Sequence, residues 1–351
     1  MTKARIVSDS NVNGFKNRII NGDFRIDQRN NGAVKNNSSP NTALATTFGA
    51  DRWLVSEQIS GTGYSQRASD GTGIDKYYLS ISRPSGLNAL IIAQRIEAIN
   101  SYDLAGKQVT LSFRAAILGG YTSLSWKASY ANTTDSFGAF SSPTKTQIAT
   151  GNVTVGSSFN SYSATFTVPS AATTGIEISF YNTNTSIDAT TLTLSNVQLE
   201  LGSVATPFEN RPIGTELALC QRYYQNSFNP GQTIAHNASS NGIVYHPGVS
   251  GGISGNLYTN LKFSPMRTFP VVSIFNGNNA SATPVSGVLA GGLNSGASGI
   301  RCYVAGGAGL DSVNIGIDYI RTESVSLYAQ NASITTLAGL LAFGYALSAE
   351  L

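Results

Sequence analysis

Residues 216–225, ELALCQRYYQ, bring a thiol (Cys220), a guanidinium (Arg222) and two phenols (Tyr223, Tyr224) into one short run. A thiol acts as a nucleophile only as thiolate, which requires a partly exposed, electropositive setting. Here Leu217, Cys220 and Tyr224 fall at i, i+3 and i+7, with Tyr223 beside them, so a helix puts the thiol on an apolar face. Cysteine on such a face packs and does not react. Leu217, Cys220, Tyr223 and Tyr224 are therefore expected to form a joint between domains or subunits, with Cys220 buried. His236 and His246 flank a Gly/Ser/Asn-rich loop, but two histidines lack the further ligands that a zinc site needs. Asp23, Asp27, Asp51 and Glu97 could furnish the two carboxylates of a glycoside hydrolase. No G-x-S-x-G elbow occurs, and AGGAGLD (305–311) lacks the Lys-Ser/Thr of a phosphate loop. The expectation is a protein that is not an enzyme.

The elements that must position these groups are strands. The segments 76–83, 108–118, 123–130, 162–169, 176–182 and 191–200 alternate polar and apolar residues, separated by Gly, Asn, Pro and Ser clusters. After 200 the texture changes through LGSVATPFENRPIGTE, where Pro207 and Pro212 bracket an extended segment. Thr215 is placed to cap a short helix whose first turn carries Glu216. Beyond Asn229 strand patterns resume at 242–246, 257–263, 270–276, 299–305, 313–321, 324–329 and 340–351. The fold class expected is all-β: two β-sandwich, jelly-roll-like domains joined by a short helix. The boundaries are an arm at 1–16, a first domain at 17–210, a linker at 211–229 and a second domain at 230–351. The polar stretch 28–50 reads as a loop.

Bulk composition narrows function further. With 351 residues, two domains are natural. Only 12% of residues are charged and the net charge is +3, too weak for a nucleic-acid track or an anionic membrane surface. The two cysteines, Cys220 and Cys302, are too few for a disulfide framework, and a bridge between them stays open. No signal peptide or membrane-spanning run is visible, so assembly in a cytoplasm without membrane insertion is expected.

Four motifs carry a family likeness: NRIINGDFRIDQR (17–29), ADRW (50–53), AQRIEAINSYDLAGKQVTLSFRA (93–115) and TLTLSNVQLELGSVATPFENRPIGTELALCQRYY (191–224). Together they resemble tailed-phage and prophage virion proteins, mostly tail fibres, whose first domain is similar to a carbohydrate-binding-module jelly roll. The likeness covers about 15–230 and continues more loosely through KFSPMRTFPVV (262–272) and SAEL (348–351). It implies a virion protein, a short tail fibre or receptor-binding protein, homotrimeric, attached to tail or baseplate proteins through its N-terminal arm and recognising a host surface glycan. A head or tail decoration protein and a stand-alone carbohydrate-binding module remain the alternatives, with a depolymerase behind them. The glycine-rich loops 276–298 and 305–311 would make host contacts. Glycan binding calls for exposed aromatic faces flanked by amides. The candidates are Trp53, Tyr64, Tyr77, Trp126 and Tyr130, then Tyr78, with Arg52, Gln94 and Asn132 as polar neighbours; Trp53 and Trp126, in strand-like segments, read more readily as core than as ligand platform. The resemblance also implies a structural calcium where first and last strands meet, at Asn21, Asp23 and Glu200; solvated or arginine-paired carboxylates explain the same residues.

Overall fold

The computed structural model describes residues 14–36, 45–59, 63–69, 73, 75–83, 87–119, 122–182, 190–228, 243–249, 256–275, 285–288, 292–295, 301–304, 310–311, 314–330 and 338–351. The chain divides into two units, one comprising Met1–Glu216 with Leu351, the other Leu217–Glu350.

In the first unit the strands are β1 (Lys35–Asn36), β2 (Ala45–Ala50), β3 (Trp53–Ile59), β4 (Tyr64–Ser69), β5 (Tyr77–Arg83), β6 (Leu87–Ile96), β7 (Gln108–Gly119), β8 (Ser123–Ala131), β9 (Gly138–Ala139), β10 (Ser142–Pro143), β11 (Lys145–Thr154), β12 (Asn160–Thr167), β13 (Ile176–Asn182) and β14 (Thr190–Leu201). They build two six-stranded sheets, ordered β1-β4-β5-β14-β7-β12 and β11-β8-β13-β6-β3-β2, with β9 and β10 forming a small ladder. Every neighbouring pair in the two large sheets is antiparallel.

Alternation along each strand sends one row of side chains between the sheets. On β7 that row is Val109, Leu111, Phe113, Ala115 and Ile117; on β13 it is Ile176, Ile178 and Phe180, and all are buried. Phe113 and Phe180 meet edge-to-face at 4.8 Å, tying one sheet to the other. Each such side chain contributes roughly 1.5–3 kcal/mol by leaving water. The all-β sandwich expected of this region is what forms. The stretch 28–50 departs from expectation: it holds β1 and β2, and β2 pairs with β3 from Ala45↔Glu57 to Ala50↔Trp53. Its Ser, Thr and Asn content masked the pairing, because an edge strand needs few apolar side chains.

The segment 16–26 is stitched onto β14. Arg18 N–H donates to the Leu199 carbonyl and Val197 N–H to the Gly22 carbonyl, both at 2.9 Å, while Asn17 Oδ1 accepts from Leu199 N–H at 3.1 Å. Two irregularities make this possible. Asn21 and Phe24 take left-handed backbone conformations (φ 56° and 58°), and β14 bulges between Ser195 and Gln198, with Asn196 at φ 50°. Gly22 is required by proximity, since a Cβ there would lie 2.1 Å from the Val197 carbonyl oxygen. Lys16, expected in a free arm, instead donates from its backbone to Glu209 Oε1 at 3.1 Å and from Nζ to the Pro207 carbonyl at 2.6 Å. Residues 1–13 of the expected arm lie outside the described residues.

Helix α1 (Ile213–Gln221) is the α-helix among the described residues. It begins earlier than Thr215 would dictate, with the Pro212 carbonyl accepting Glu216 N–H at 3.1 Å, so Thr215 lies inside the first turn and not at the cap. Glu216 turns inward onto Arg211, whose Nη1 lies 3.2 Å from both carboxylate oxygens, and it also accepts Asn21 N–H. Both side chains are buried, which matches the rule that an interior charge must be paired.

In the second unit, a sheet of eleven strands is organised on the strand Ala338–Ser348. Its first half pairs with Val244–Val249 and Arg301–Val304, its second half with Val271–Phe275 and Tyr224–Asn226. The separate core contains Leu261, Val272, Ile274, Leu327, Leu341 and Phe343. The glycine-rich loops 276–298 and 305–311 lie outside the described residues apart from the strands Val285–Val288, Gly292–Ser295 and Leu310–Asp311. No helix among the described residues is long and apolar enough to cross a membrane.

Candidate functional site

Within the first unit, a cleft of about 880 Å³ opens over the outer face of the β14-β7-β12 strip. Its position follows from alternation: on β7 and β12 the residues between core positions, Ser112, Arg114, Ser161 and Ser163, face out and line it. Segment 205–210 and the stitched segment at Asp23 and Arg25 form one wall. Lys76 and Tyr77, at the start of β5, contribute on another side, beside Asn196 of the β14 bulge.

The electrostatics are those of a paired, partly dry site. Arg114 grips Asp75 through Nε at 2.8 and 3.0 Å, and donates from Nη1 to Ser161 Oγ and from Nη2 to the Phe159 carbonyl, both at 3.1 Å. Arg25 Nε lies 2.9 Å from Asp23 Oδ2, while its Nη2 donates to the Arg211 carbonyl at 2.5 Å. Asp23 Oδ1 is buried without a hydrogen-bond donor. Burial pushes the Asp23 carboxyl above its ordinary range; Arg25 opposes this and Glu216 reinforces it. Asp27, buried under its own turn, is likewise raised by burial, against the N–H groups of Gly32 and Asn30 and the charge of Arg67.

Of the aromatic candidates, Tyr77 lines the cleft. Tyr64 is exposed on β4 and does not line it, and Tyr78 packs edge-to-face on Phe159 at 5.6 Å. Trp53 is wholly buried; its Nε1 donates to the Asn21 carbonyl at 2.9 Å and its ring lies 4.9 Å from that of Phe24. Trp126 is buried and stacks on Phe166 at 5.6 Å, and Tyr130 packs against the core. As ligand platforms Trp53, Trp126 and Tyr130 are thus corrected to core residues, for they occupy inward positions of their strands. Gln94 bonds both backbone groups of Ile20, and Arg52 donates to the Arg95 carbonyl at 2.5 Å, so both are structural. Asn132 is exposed and accepts from Thr146.

Two of the three expected calcium ligands, Asn21 and Glu200, bond protein partners. Asn21 accepts from Ile26 N–H and donates to the Ile26 and Asp51 carbonyls. Glu200 accepts from Thr206 N–H, Thr206 Oγ1 and Gln198 Nε2. Among the described residues no group of three or more His, Cys, Asp or Glu side chains is placed to hold a metal. His236 lies outside the described residues, and His246 is described by its strand backbone alone.

In the ELALCQRYYQ stretch, Cys220, Tyr223 and Tyr224 are buried and Leu217 is half-buried. Their arrangement differs from one helical face: α1 stops at Gln221, and Tyr224 begins a strand paired with Ser348. The Tyr223 carbonyl accepts from Ala349 N–H at 2.8 Å. The side chain of Cys302 lies outside the described residues. Sequence reasoning missed Arg25, Lys76, Arg114, Ser163 and Asn196 as cleft residues; Asn196, an Asn inside a strand pattern, was the available signal for a bulge.

No protein-family profile matches the chain, and no curated protein does. Among solved structures, a CBM4 module is 17% identical, covering 52% of this chain and 98% of its own, with a TM-score of 0.32. The N-terminal cellulose-binding domain of Cellulomonas fimi β-1,4-glucanase C is 19% identical over 48% of this chain and 100% of its own, TM-score 0.29. The enzymatically active domain of tailspike protein 4 of bacteriophage CBA120 is 17% identical over 48% of this chain but 21% of its own, TM-score 0.30. Overlaps of this size describe a partial likeness of strand arrangement and carry no functional argument.

Proposed function

We propose that the first unit is a glycan-binding module and that the protein is a surface-recognition component of a tailed-phage particle, a short tail fibre or receptor-binding protein. The observation that carries the first half is the cleft itself: a tyrosine, outward serines and the Asp23 side chain line one opening. Sugars meet such sites through an apolar ring face and several hydroxyls, which the Tyr77 ring, the outward serines and the Asp23 carboxylate would engage. The second half rests on the motif resemblance over 15–230. Among the described residues Asp23 is the carboxylate that lines the cleft, and Asp75 is held by Arg114, so we take the cleft to bind and not to cleave.

Calorimetry of the full chain against a panel of bacterial surface oligosaccharides tests the module. Tyr77→Ala is expected to weaken binding about tenfold, in line with losing one aromatic contact. Ser163→Arg, on the exposed edge strand β12, should block the cleft while changing stability by under about 0.5 kcal/mol. Binding that survives both substitutions would place the glycan elsewhere. Labelling the protein on purified particles by cryo-microscopy tests the virion role, and its absence from particles would favour a stand-alone binding module.

A further inference from the structure

The charges of the cleft do not balance within it. Two of its cations are matched: Arg25 with Asp23 at 2.9 Å, and Arg114 with Asp75 at 2.8 Å. Lys76 is exposed, and among the described residues no carboxylate is ion-paired with it. Its Nζ lies 5.6 Å from the centre of the Tyr77 ring. The ammonium thus lies near the ring that a sugar would contact; the Arg67 guanidinium is 5.2 Å from the same centre but is itself within 3.9 Å of Asp27. A pyranose against Tyr77 would present its ring substituents within reach of that charge. A neutral hexose offers a hydroxymethyl group there, whereas a uronic acid offers a carboxylate at the same carbon.

We infer that the cleft takes an acidic glycan, with Lys76 meeting the sugar carboxylate while the Asp23 carboxylate accepts a hydroxyl of the same or the adjoining residue. This rests on the glycan-binding reading above and sharpens it to a substrate class. The two groups divide the work. Asp23 repels a carboxylate at the wall and accepts only a donor, so it orients the ligand with its acid towards Lys76. A phosphate is matched better by a forked guanidinium than by a single ammonium, and the cleft guanidiniums are already committed to Asp23 and Asp75.

The test is calorimetry of the full chain with galacturonate oligosaccharides, with the same oligosaccharides after carboxyl reduction, and with a sulfated galactan. The acidic form should bind about three- to fivefold more tightly than the reduced form, the scale of one partly exposed ion pair. That advantage should vanish in Lys76→Met, which keeps the aliphatic stem, and in 0.5 M salt as an imposed condition, where screening shortens to roughly 4 Å. Affinity of the Lys76→Met variant for the reduced oligosaccharide should be unchanged. Equal binding of the acidic and reduced forms, or an advantage that persists in Lys76→Met, overturns the inference while leaving the glycan module standing. Preference for the sulfated galactan over galacturonate overturns the carboxylate assignment. Failure of every glycan in the surface panel and in this series removes the glycan-binding reading itself.

Discussion

Asp23 shows how one residue can be misread when its type alone is considered. As an oxygen donor it fits a cation site, yet its geometry gives one oxygen to Arg25 and leaves the other buried. Its raised carboxyl has a consequence for stability. A folded state that holds the proton more tightly than the unfolded chain loses stability as pH rises from the ordinary value of 3.8 through the folded pKa. Above that window the loss is complete and constant. Asp23→Asn removes the ionisation, so its melting temperature relative to wild type should be higher at pH 7 than at pH 3. Melts across that range that run parallel for the two proteins would show that burial does not act on this carboxyl. The tryptophans carry the complementary lesson. Their chemistry advertised ligand stacking, but strand alternation assigns Trp53 and Trp126 inward, and both are core.

At the level of elements, the join between segment 16–26 and β14 decides whether the cleft exists, because it sets Asp23 and Arg25 beside the bulge that carries Asn196. Gly22→Ala drives a methyl into the Val197 carbonyl and is expected to cost at least about 1–3 kcal/mol, measured by denaturant unfolding. The same variant should lose glycan affinity in proportion to any displacement of Asp23. An alanine accepted without a stability change would mean the two segments are not in register. The strands themselves were legible because period-two alternation is local: β7 was anticipated at 108–118 and spans Gln108–Gly119, and β14 at 191–200 spans Thr190–Leu201. What escaped was governed by distant partners. The edge strand β11, KTQIATGNVT, is largely polar with half of its residues exposed, and its pairing with β8 cannot be read from its own residues. The helix start escaped for a local reason: Pro212, with its fixed φ, leads into the first turn ahead of the better capping side chain of Thr215.

At the level of the molecule, the cleft lies wholly within the first unit, while the second has its own core. Phe343→Ala, emptying a fully buried ring position in the second core, should lower that unit's stability by about 3–5 kcal/mol and leave glycan affinity unchanged. A matching loss of affinity in calorimetry would show that the units act together. The presence of two β units was legible from the change of texture after residue 200. The cleft was not, because its residues come from six separate stretches between Asp23 and Asn210 that only the sheet order gathers.

The strand Ala338–Ser348 adds a matter of timing. It pairs with Val244–Val249, Val271–Phe275, Arg301–Val304 and Tyr224–Asn226, yet follows all of them in the chain. During synthesis those four strands emerge before the partner they share, with their edges unsatisfied, and the second unit can close only once residue 348 has left the ribosome. A ribosome stalled before that strand would display a finished first unit beside an unfinished sheet, open to pairing with the same sheet of a neighbouring nascent chain.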